Sequence, residues 1–219
     1  MKLSKETLAL LKNFAGINSN LLLKDGGKLS TISAQKNIMA SVSVAETFPA
    51  EFGIYDLNEF LGALSLFSDP DLTFSDKFVT IKEGGAHIKY YAADKSVLSY
   101  PQKEITFPSS DIDFALSSAT LNQIIRTASV LRAPDLSIVG KNGKVTLVVG
   151  DRKNSTANTF DLEVGETDKT FDVSIKVENL KMIPGDYNVS VSSRKISRFQ
   201  SSSSDTVYYV AVEADSTFE

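Results

Sequence analysis

The feature that most narrows what this chain can fold into is a change of hydrophobic period that recurs along it. Stretches with apolar residues at helical spacing, the first two opened by a capping side chain, begin near residues 4, 56, 118 and 177. Each is followed by two or three strand-like runs before the next begins. The intervals between the starts are 52, 62 and 59 residues. A unit of that length, with one helix and several strands, is too irregular for a solenoid repeat. It fits paired units that build two similar α+β domains, each with two helices packed on antiparallel sheets.

The first helix is expected over about Ser4 to Ile17, capped by Ser4, with Leu3, Thr7, Leu10, Leu11 and Phe14 on one face. The second opens at Asp56-Leu57-Asn58-Glu59, where the aspartate accepts from a free backbone N–H while the glutamate reaches back, and Asp69-Pro70 ends it. The third spans about Ser118 to Arg132 on a stripe of Leu121, Ile124, Ile125, Ala128 and Leu131, with Pro134 closing the segment. The fourth is short, about Val177 to Met182, and stops at Pro184-Gly185. Strands are expected where the period becomes two, at residues 40–44, 79–82, 145–149 and 187–191. Gly26-Gly27, Gly84-Gly85 and Asn142-Gly143 suit tight hairpins between strands. The stretch from Ala93 to Pro108 lacks periodicity and carries Pro101 and Pro108. The expected division is therefore residues 1–93, a connector 94–108, and residues 109–219.

Composition removes whole classes of chemistry. The chain contains no cysteine, which excludes disulfide frameworks, thiolate zinc sites, iron-sulfur clusters and cysteine nucleophiles. Its single histidine, His87, would have to serve any serine-histidine-carboxylate triad and cannot build an imidazole-rich metal site alone. No glycine-rich phosphate loop is present. Asp69 with Asp71, and Asp111 with Asp113, are candidate cation ligands, but turn chemistry and solvation explain both pairs. No catalytic residue, metal ligand or cofactor is read from the chain. The N-terminus turns charged and amphipathic at once, and no stretch approaches the roughly 18 apolar residues of a membrane span. The expected location is the cytoplasm, away from membranes.

With 23 Lys and Arg against 27 Asp and Glu, the net charge of −4 argues against a wholly basic surface but leaves room for a local basic face. On the first helix Lys5, Ala9, Lys12 and Gly16 follow one another along the face opposite the apolar stripe. The third helix repeats the arrangement with Asn122, Arg126 and Ser129, has Arg132 nearby, and contains no acidic residue. The fourth adds Lys176 and Lys181. Such faces suit weak, sequence-independent contact with phosphates, and an ordinary solvated helix face reads the same way from spacing alone. The last strand, Thr206 to Val212, carries adjacent tyrosines, of which one must face outward if the other faces in. An outward tyrosine is a docking site for a partner peptide or part of a core.

Several separated segments, in order, resemble the DNA polymerase sliding clamps of the T-even-type bacteriophages. They are Met1-Lys2-Leu3-Ser4-Lys5, Leu10-Leu11-Lys12-Asn13-Phe14-Ala15 and Ile17-Asn18, then Ile54-Tyr55-Asp56-Leu57-Asn58 with Phe60-Leu61-Gly62. Lys181-Met182, Pro184-Gly185 and Tyr187 continue the pattern, and Tyr209 through Thr217 completes it. The resemblance implies a DNA clamp fold and a ring of three identical subunits whose helices line a central hole. Double-stranded DNA would pass through that hole topologically, screened by Lys5, Lys12, Arg126, Arg132, Lys176 and Lys181. The clamp would itself need no nucleotide, because an ATP-dependent clamp loader opens the ring. Its implied partners are the replicative DNA polymerase and, in late transcription, a sigma-like factor and a co-activator, each docking through a short apolar C-terminal peptide.

By the same resemblance the peptide pocket falls at Tyr209 and Ala211, roofed by Val97, Leu98 and Tyr100. The subunit contact falls between the edge strand carrying Ile88, Tyr90 and Tyr91 and the one carrying Phe160 and Leu162 of the next copy. The second helix departs from the pattern by lacking a clear cation, and Gln200 to Asp205 is a serine-rich loop of no recognisable origin. Two other readings stand beside this one: a β-rich oligomeric virion or scaffold protein, and a hydrolase built on the aspartate pairs.

Overall fold

Local capping chemistry starts the chain. The Ser4 hydroxyl accepts from the Thr7 N–H at 3.1 Å and opens helix α1, Lys5–Ala15, whose buried stripe is Thr7, Leu11 and Phe14. The structure, a computed structural model, describes residues 1–218, which divide between Glu104 and Ile105 into two compact units.

In the first unit α1 is followed by β1 (Leu21–Leu23), β2 (Gly26–Ile32), β3 (Ile38–Phe48), β4 (Phe52–Ile54), helix α2 (Leu57–Ser65), β5 (Asp71–Phe74), β6 (Phe78–Glu83) and β7 (Ala86–Tyr91). Strands β1 and β4 pair antiparallel, β2 pairs with β3, and β5-β6-β7 form a three-stranded meander with β7 at its edge. The helices α1 and α2 pack on each other, and Leu11, Phe14, Leu57, Phe60 and Leu64 on them are buried. Burying side chains of this size stabilises by about 1.5–3 kcal/mol each. Phe74 meets Phe48 and Phe52 edge-on, with centroids 6.1 and 5.3 Å apart.

The second unit contains β8 (Ile112–Leu116), helix α3 (Ser118–Leu131), β9 (Asp135–Lys141), β10 (Lys144–Gly150), β11 (Phe160–Glu166), β12 (Phe171–Lys176), β13 (Tyr187–Ser192), β14 (Ile196–Ser201), β15 (Val207–Ala211) and β16 (Thr217–Phe218). One antiparallel sheet runs β11-β10-β9-β12-β16, which leaves β11 at an edge. The strands β15, β14, β13 and β8 are antiparallel neighbours in that order. Helix α3 packs on β10, burying Leu121, Ile124 and Ala128.

Two of the expected hairpins form with the conformation their residues favour. Gly84-Gly85 joins β6 to β7 with Gly84 at φ +58°, and Asn142-Gly143 joins β9 to β10 with φ of +53° and +84°. Gly26-Gly27 does not make a hairpin. The strand before it, β1, pairs with β4 instead, and the two glycines form an irregularity in the β2-β3 ladder, where pairing jumps from Gly26↔Phe48 to Lys28↔Ser43. Glycine is required there because a Cβ on residue 27 would stand 2.8 Å from the Val44 carbonyl oxygen.

The expected fourth helix is also absent. Only a 3₁₀ turn forms, Val177–Asn179, so the described residues contain three α-helices and the second unit has one of them. Burial then alternates, with Leu180 and Met182 in and Lys181 out, as in an extended chain. Two tyrosines hold it so: the Ile183 N–H donates to the Tyr208 hydroxyl at 3.2 Å, and the Tyr187 hydroxyl donates to the Ile183 carbonyl. Six residues of helical pattern cannot compete with those contacts, since so short a helix is unstable without tertiary support.

Candidate nucleic-acid interface

The solvent face of α1 is the face that spacing assigned to it. Lys5, Ala9, Lys12 and Gly16 are all exposed, opposite the buried stripe. Its first turn is held by a carboxylate from β3. Glu46 accepts from the Ser4 N–H and, at 2.6 Å, from the Thr7 hydroxyl. Burial alone would raise the Glu46 carboxyl, but these hydrogen bonds outweigh it and hold the group below its ordinary value. A negative charge at a helix N-terminus also opposes the helix dipole favourably.

Helix α3 is built in the same way. The Ser117 hydroxyl accepts from the Thr120 N–H at 3.1 Å, and Asn122, Arg126 and Ser129 lie exposed along the outer face. Val130 beside them is 81% exposed. Arg132 ends the helix in the left-handed conformation, φ +52° and ψ +37°, where glycine is the usual residue. An arginine in that position carries a backbone cost that its exposed side chain does not recover within the unit.

Lys5, Lys12, Arg126 and Arg132 form no ion pair with any described residue. Lys176 differs. Its ammonium pairs with the carboxylate of Asp135, a residue 2% exposed, whose other oxygen accepts from the Arg152 N–H at 3.1 Å. The Asp135 hydrogen bond raises the Lys176 pKa above its ordinary value, against a smaller opposing effect of burial. Lys176 therefore lies at the end of β12 with its charge committed to a buried acid, a role its spacing from Lys181 does not reveal. Lys181 is exposed in the extended segment after the 3₁₀ turn.

Helix α2 carries no such face. Asp56 caps it, accepting from Asn58 and Glu59 N–H groups at 2.9 and 3.3 Å, and its exposed positions are acidic or neutral. Glu59 does not close the expected capping box; its charge lies beside the Tyr90 hydroxyl. Burial first, then Glu59, pushes that hydroxyl up to about 12.

Three of the four paired aspartates have structural partners, and Asp71 opens β5. Asp69 pairs with Lys2, Asp111 accepts from the Ser193 N–H at 2.7 Å, and Asp113 accepts from the Ser110 hydroxyl at 2.9 Å. Among the described residues no three His, Cys, Asp or Glu side chains are placed to hold a metal ion. His87 is exposed on β7. No described helix is long and apolar enough to cross a membrane.

The remaining site residues fall on particular elements. In the first unit Val97 is exposed at the end of a 3₁₀ turn, Lys95–Val97, Tyr100 is half-buried, and Leu98 is buried against Gly53. Leu98 thus packs inside its own unit. On edge strand β7, Tyr91 is 66% exposed, whereas Tyr90 packs edge-on against Phe60 at 5.1 Å and donates to the Asp56 carbonyl. Ile88 shares the Tyr90 face. On edge strand β11, Phe160 and Leu162 are half-buried and alternate with exposed Asp161 and Glu163. In the second unit Tyr208 is buried, while Tyr209 and Ala211 lie half-buried on the opposite face of β15. Sequence reasoning missed Phe107 and Arg198. Phe107 stacks on Tyr209 with centroids 6.3 Å apart, and the Arg198 guanidinium stands 4.7 Å from the Phe107 ring centre. The only signal of Arg198 in the sequence is its place in an alternating strand, where a cation is unremarkable.

Known proteins match this chain along its length. A family described as the gp45 sliding clamp, C-terminal part, matches residues 113–214, and one described as the DNA polymerase processivity factor matches residues 4–99. The sliding clamp of Enterobacteria phage T4 is 34% identical over all of both chains. That of Escherichia phage RB69 is 32% identical, also over all of both chains. That of Vibrio phage KVP40 is 32% identical over 98% of this chain and 100% of its own. Among solved structures, proliferating cellular nuclear antigen from Entamoeba histolytica aligns with a TM-score of 0.68 at 18% identity, covering 94% of each chain. The PCNA2-PCNA3 complex of Sulfolobus tokodaii aligns at 0.70 and 12% identity over 95% of this chain and 96% of that one. The A. fulgidus PCNA, solved with the C-terminal region of FEN-1 bound, aligns at 0.69 and 12% identity over 96% of both. With relatives this similar over its whole length, and with their clamp fold, the chain belongs to the sliding-clamp family of bacteriophage DNA polymerase processivity factors.

Proposed function

We propose that this clamp encircles double-stranded DNA as a homotrimer and tethers the replicative DNA polymerase for processive synthesis. The observation that carries the reading is the set of four exposed cations without ion partners, Lys5 and Lys12 on α1 and Arg126 and Arg132 on and after α3, in a chain of net charge −4. Such cations favour phosphates without reading bases, and weak contacts of this kind let a ring slide where strong ones would pin it. Lys181 is an accessory member of the set, and Lys176 contributes less because Asp135 already balances it.

Ring closure is assigned to β7 of one copy pairing with β11 of the next. Both are edge strands with unpaired backbone groups. Lys89 on β7 would face the acidic side chains Asp161 and Glu163 on β11, a pairing of complementary charge. The side chains assigned to this contact are Ile88 and Tyr90 with Phe160 and Leu162 on one face of the joined strands, and Tyr91 on the face of the charged pairs.

The division into residues 1–93, connector 94–108 and residues 109–219 belongs to the same reading, the connector offering Val97 and Tyr100, and β15 offering Tyr209 and Ala211, to partner peptides. An apolar C-terminal peptide from the polymerase, or from a late-transcription sigma-like factor and its co-activator, is the proposed occupant, and an ATP-dependent clamp loader opens the ring. The solved A. fulgidus PCNA binds a C-terminal region of its own partner, which supports that mode. The protein acts without catalysing a reaction, in the cytoplasm of the infected bacterium.

The test is solution mass across a dilution series, then primer extension on singly primed circular DNA with the cognate polymerase and loader. A trimer that lengthens products only when loaded is expected. Charge reversal at Lys12 and Arg126 should shorten products and leave the mass unchanged. A monomer at high concentration without effect on product length would sink the proposal, and the scaffold reading would replace it.

A further inference from the structure

The outer face of β8, β13, β14 and β15 carries a cross-strand row whose cation lacks a counter-charge. Asp113, Ser190, Arg198 and Tyr209 lie directly opposite one another on successive strands. The Arg198 Nη2 donates to the Ser190 hydroxyl at 3.0 Å, and the guanidinium lies against Phe107. Its Nε is buried and donates to nothing, and no described carboxylate pairs with Arg198. Asp113, the acid of the same row, stands two strands away and accepts from Ser110. A buried guanidinium N–H without an acceptor is costly, and guanidinium groups favour planar, two-toothed pairing with carboxylates.

The apolar half of the feature adjoins it. Phe107 and Tyr209 stack with their planes 27° apart and remain half-buried, forming a shelf beside the cation. Residues facing each other across antiparallel strands have Cβ atoms about 4.5–5.5 Å apart. Side chains two positions apart on an extended segment project to the same side at about 6.6–6.8 Å, wider by about 1–2 Å, a gap that the long arginine side chain spans.

We infer that this shelf selects partner segments in which an acidic side chain stands two positions from a large apolar one. The carboxylate pairs with the Arg198 guanidinium, supplying the counter-charge it lacks, while the apolar side chain lies on Phe107 and Tyr209. The inference rests on the proposed docking of partner peptides at Tyr209, and it names Arg198 as the residue that decides which peptides are taken.

The experiment is selection from a random heptapeptide library displayed on phage, against the full-length wild-type protein and the Arg198→Gln and Arg198→Lys variants. Enriched peptides are then resynthesised as fluorescein-labelled Asp and Asn pairs for anisotropy titration. Wild type should enrich Asp or Glu two positions from Phe, Leu or Trp, and the Asp peptide should bind about tenfold more tightly than its Asn twin. Arg198→Gln should retain the apolar preference and lose the acidic one, and Arg198→Lys should keep a reduced preference. Apolar enrichment without an acid on wild type would overturn the inference and leave the docking reading standing. No enrichment of apolar residues would overturn both. The wild-type selection decides between these outcomes even if a variant fails to fold.

Discussion

Lys176 has two competing roles, phosphate contact and neutralisation of Asp135, and replacing it by methionine separates them. Methionine keeps most of the stem and removes the ammonium. Asp135, 2% exposed, would then hold a negative charge with one N–H donor from Arg152 and no cation. Breaking a fully buried pair costs about 3–5 kcal/mol. Here the lysine side chain is 28% exposed and the N–H bond remains, so the expected loss is about 2–3 kcal/mol. At a urea slope of about 1.5 kcal/mol/M the midpoint falls by about 1.3–2 M. The assay is equilibrium unfolding followed by circular dichroism and tyrosine fluorescence, the chain having no tryptophan.

The pH and salt dependence of the Lys176 effect carry further information. Because Asp135 raises the Lys176 pKa on folding, the stabilisation is complete below the ordinary lysine value of about 10.4 and disappears as pH rises through the higher folded value. A buried pair is also poorly screened, so the difference between wild type and variant should survive 1 M salt, where the screening length is about 3 Å. A destabilisation below about 0.5 kcal/mol, or one erased by salt, would refute the structural role and return Lys176 to the phosphate-facing set.

Arg132→Gly should leave stability unchanged or raise it by up to about 1 kcal/mol, because relief of the left-handed strain exceeds or offsets the added freedom of the unfolded chain. The same variant should be retained less well on circular DNA, with a shallower salt dependence; lower stability would show that the side chain matters to the fold. Glu46→Gln should lower stability by about 1 kcal/mol at pH 7, read by thermal melting. Since folding depresses the Glu46 pKa, that difference is present above the ordinary carboxylate value and should close as pH falls below about 4, so a constant difference would contradict the assignment. Gly53→Ala should cost about 1–3 kcal/mol or prevent folding, because its Cβ would stand 2.2 Å from the Ala93 carbonyl oxygen, which is backbone and cannot rotate away. An alanine variant with wild-type melting would disprove that close approach.

Local information was enough for the three helices and their outer faces. Ser4, Asp56 and Ser117 cap as their side-chain chemistry dictates, and the helical period settles which of Lys5, Lys12 and Arg126 face solvent. The hairpins at Gly84-Gly85 and Asn142-Gly143 were likewise legible, because positive φ is a property of the residue itself. Tertiary structure decided the rest. Val177 to Met182 has a helical pattern, yet hydroxyls from Tyr187 and Tyr208 pull Ile183 into an extended path. Gly26-Gly27 reads as a turn until β1 pairs with β4. Lys176 meets Asp135, and Arg198 meets Phe107, across 41 and 91 residues of chain. A period or a cap is set by neighbours a few residues away, which the sequence carries explicitly. The charge balance of a lysine or the unsatisfied donor of an arginine depends on strands that become adjacent only when the sheets assemble.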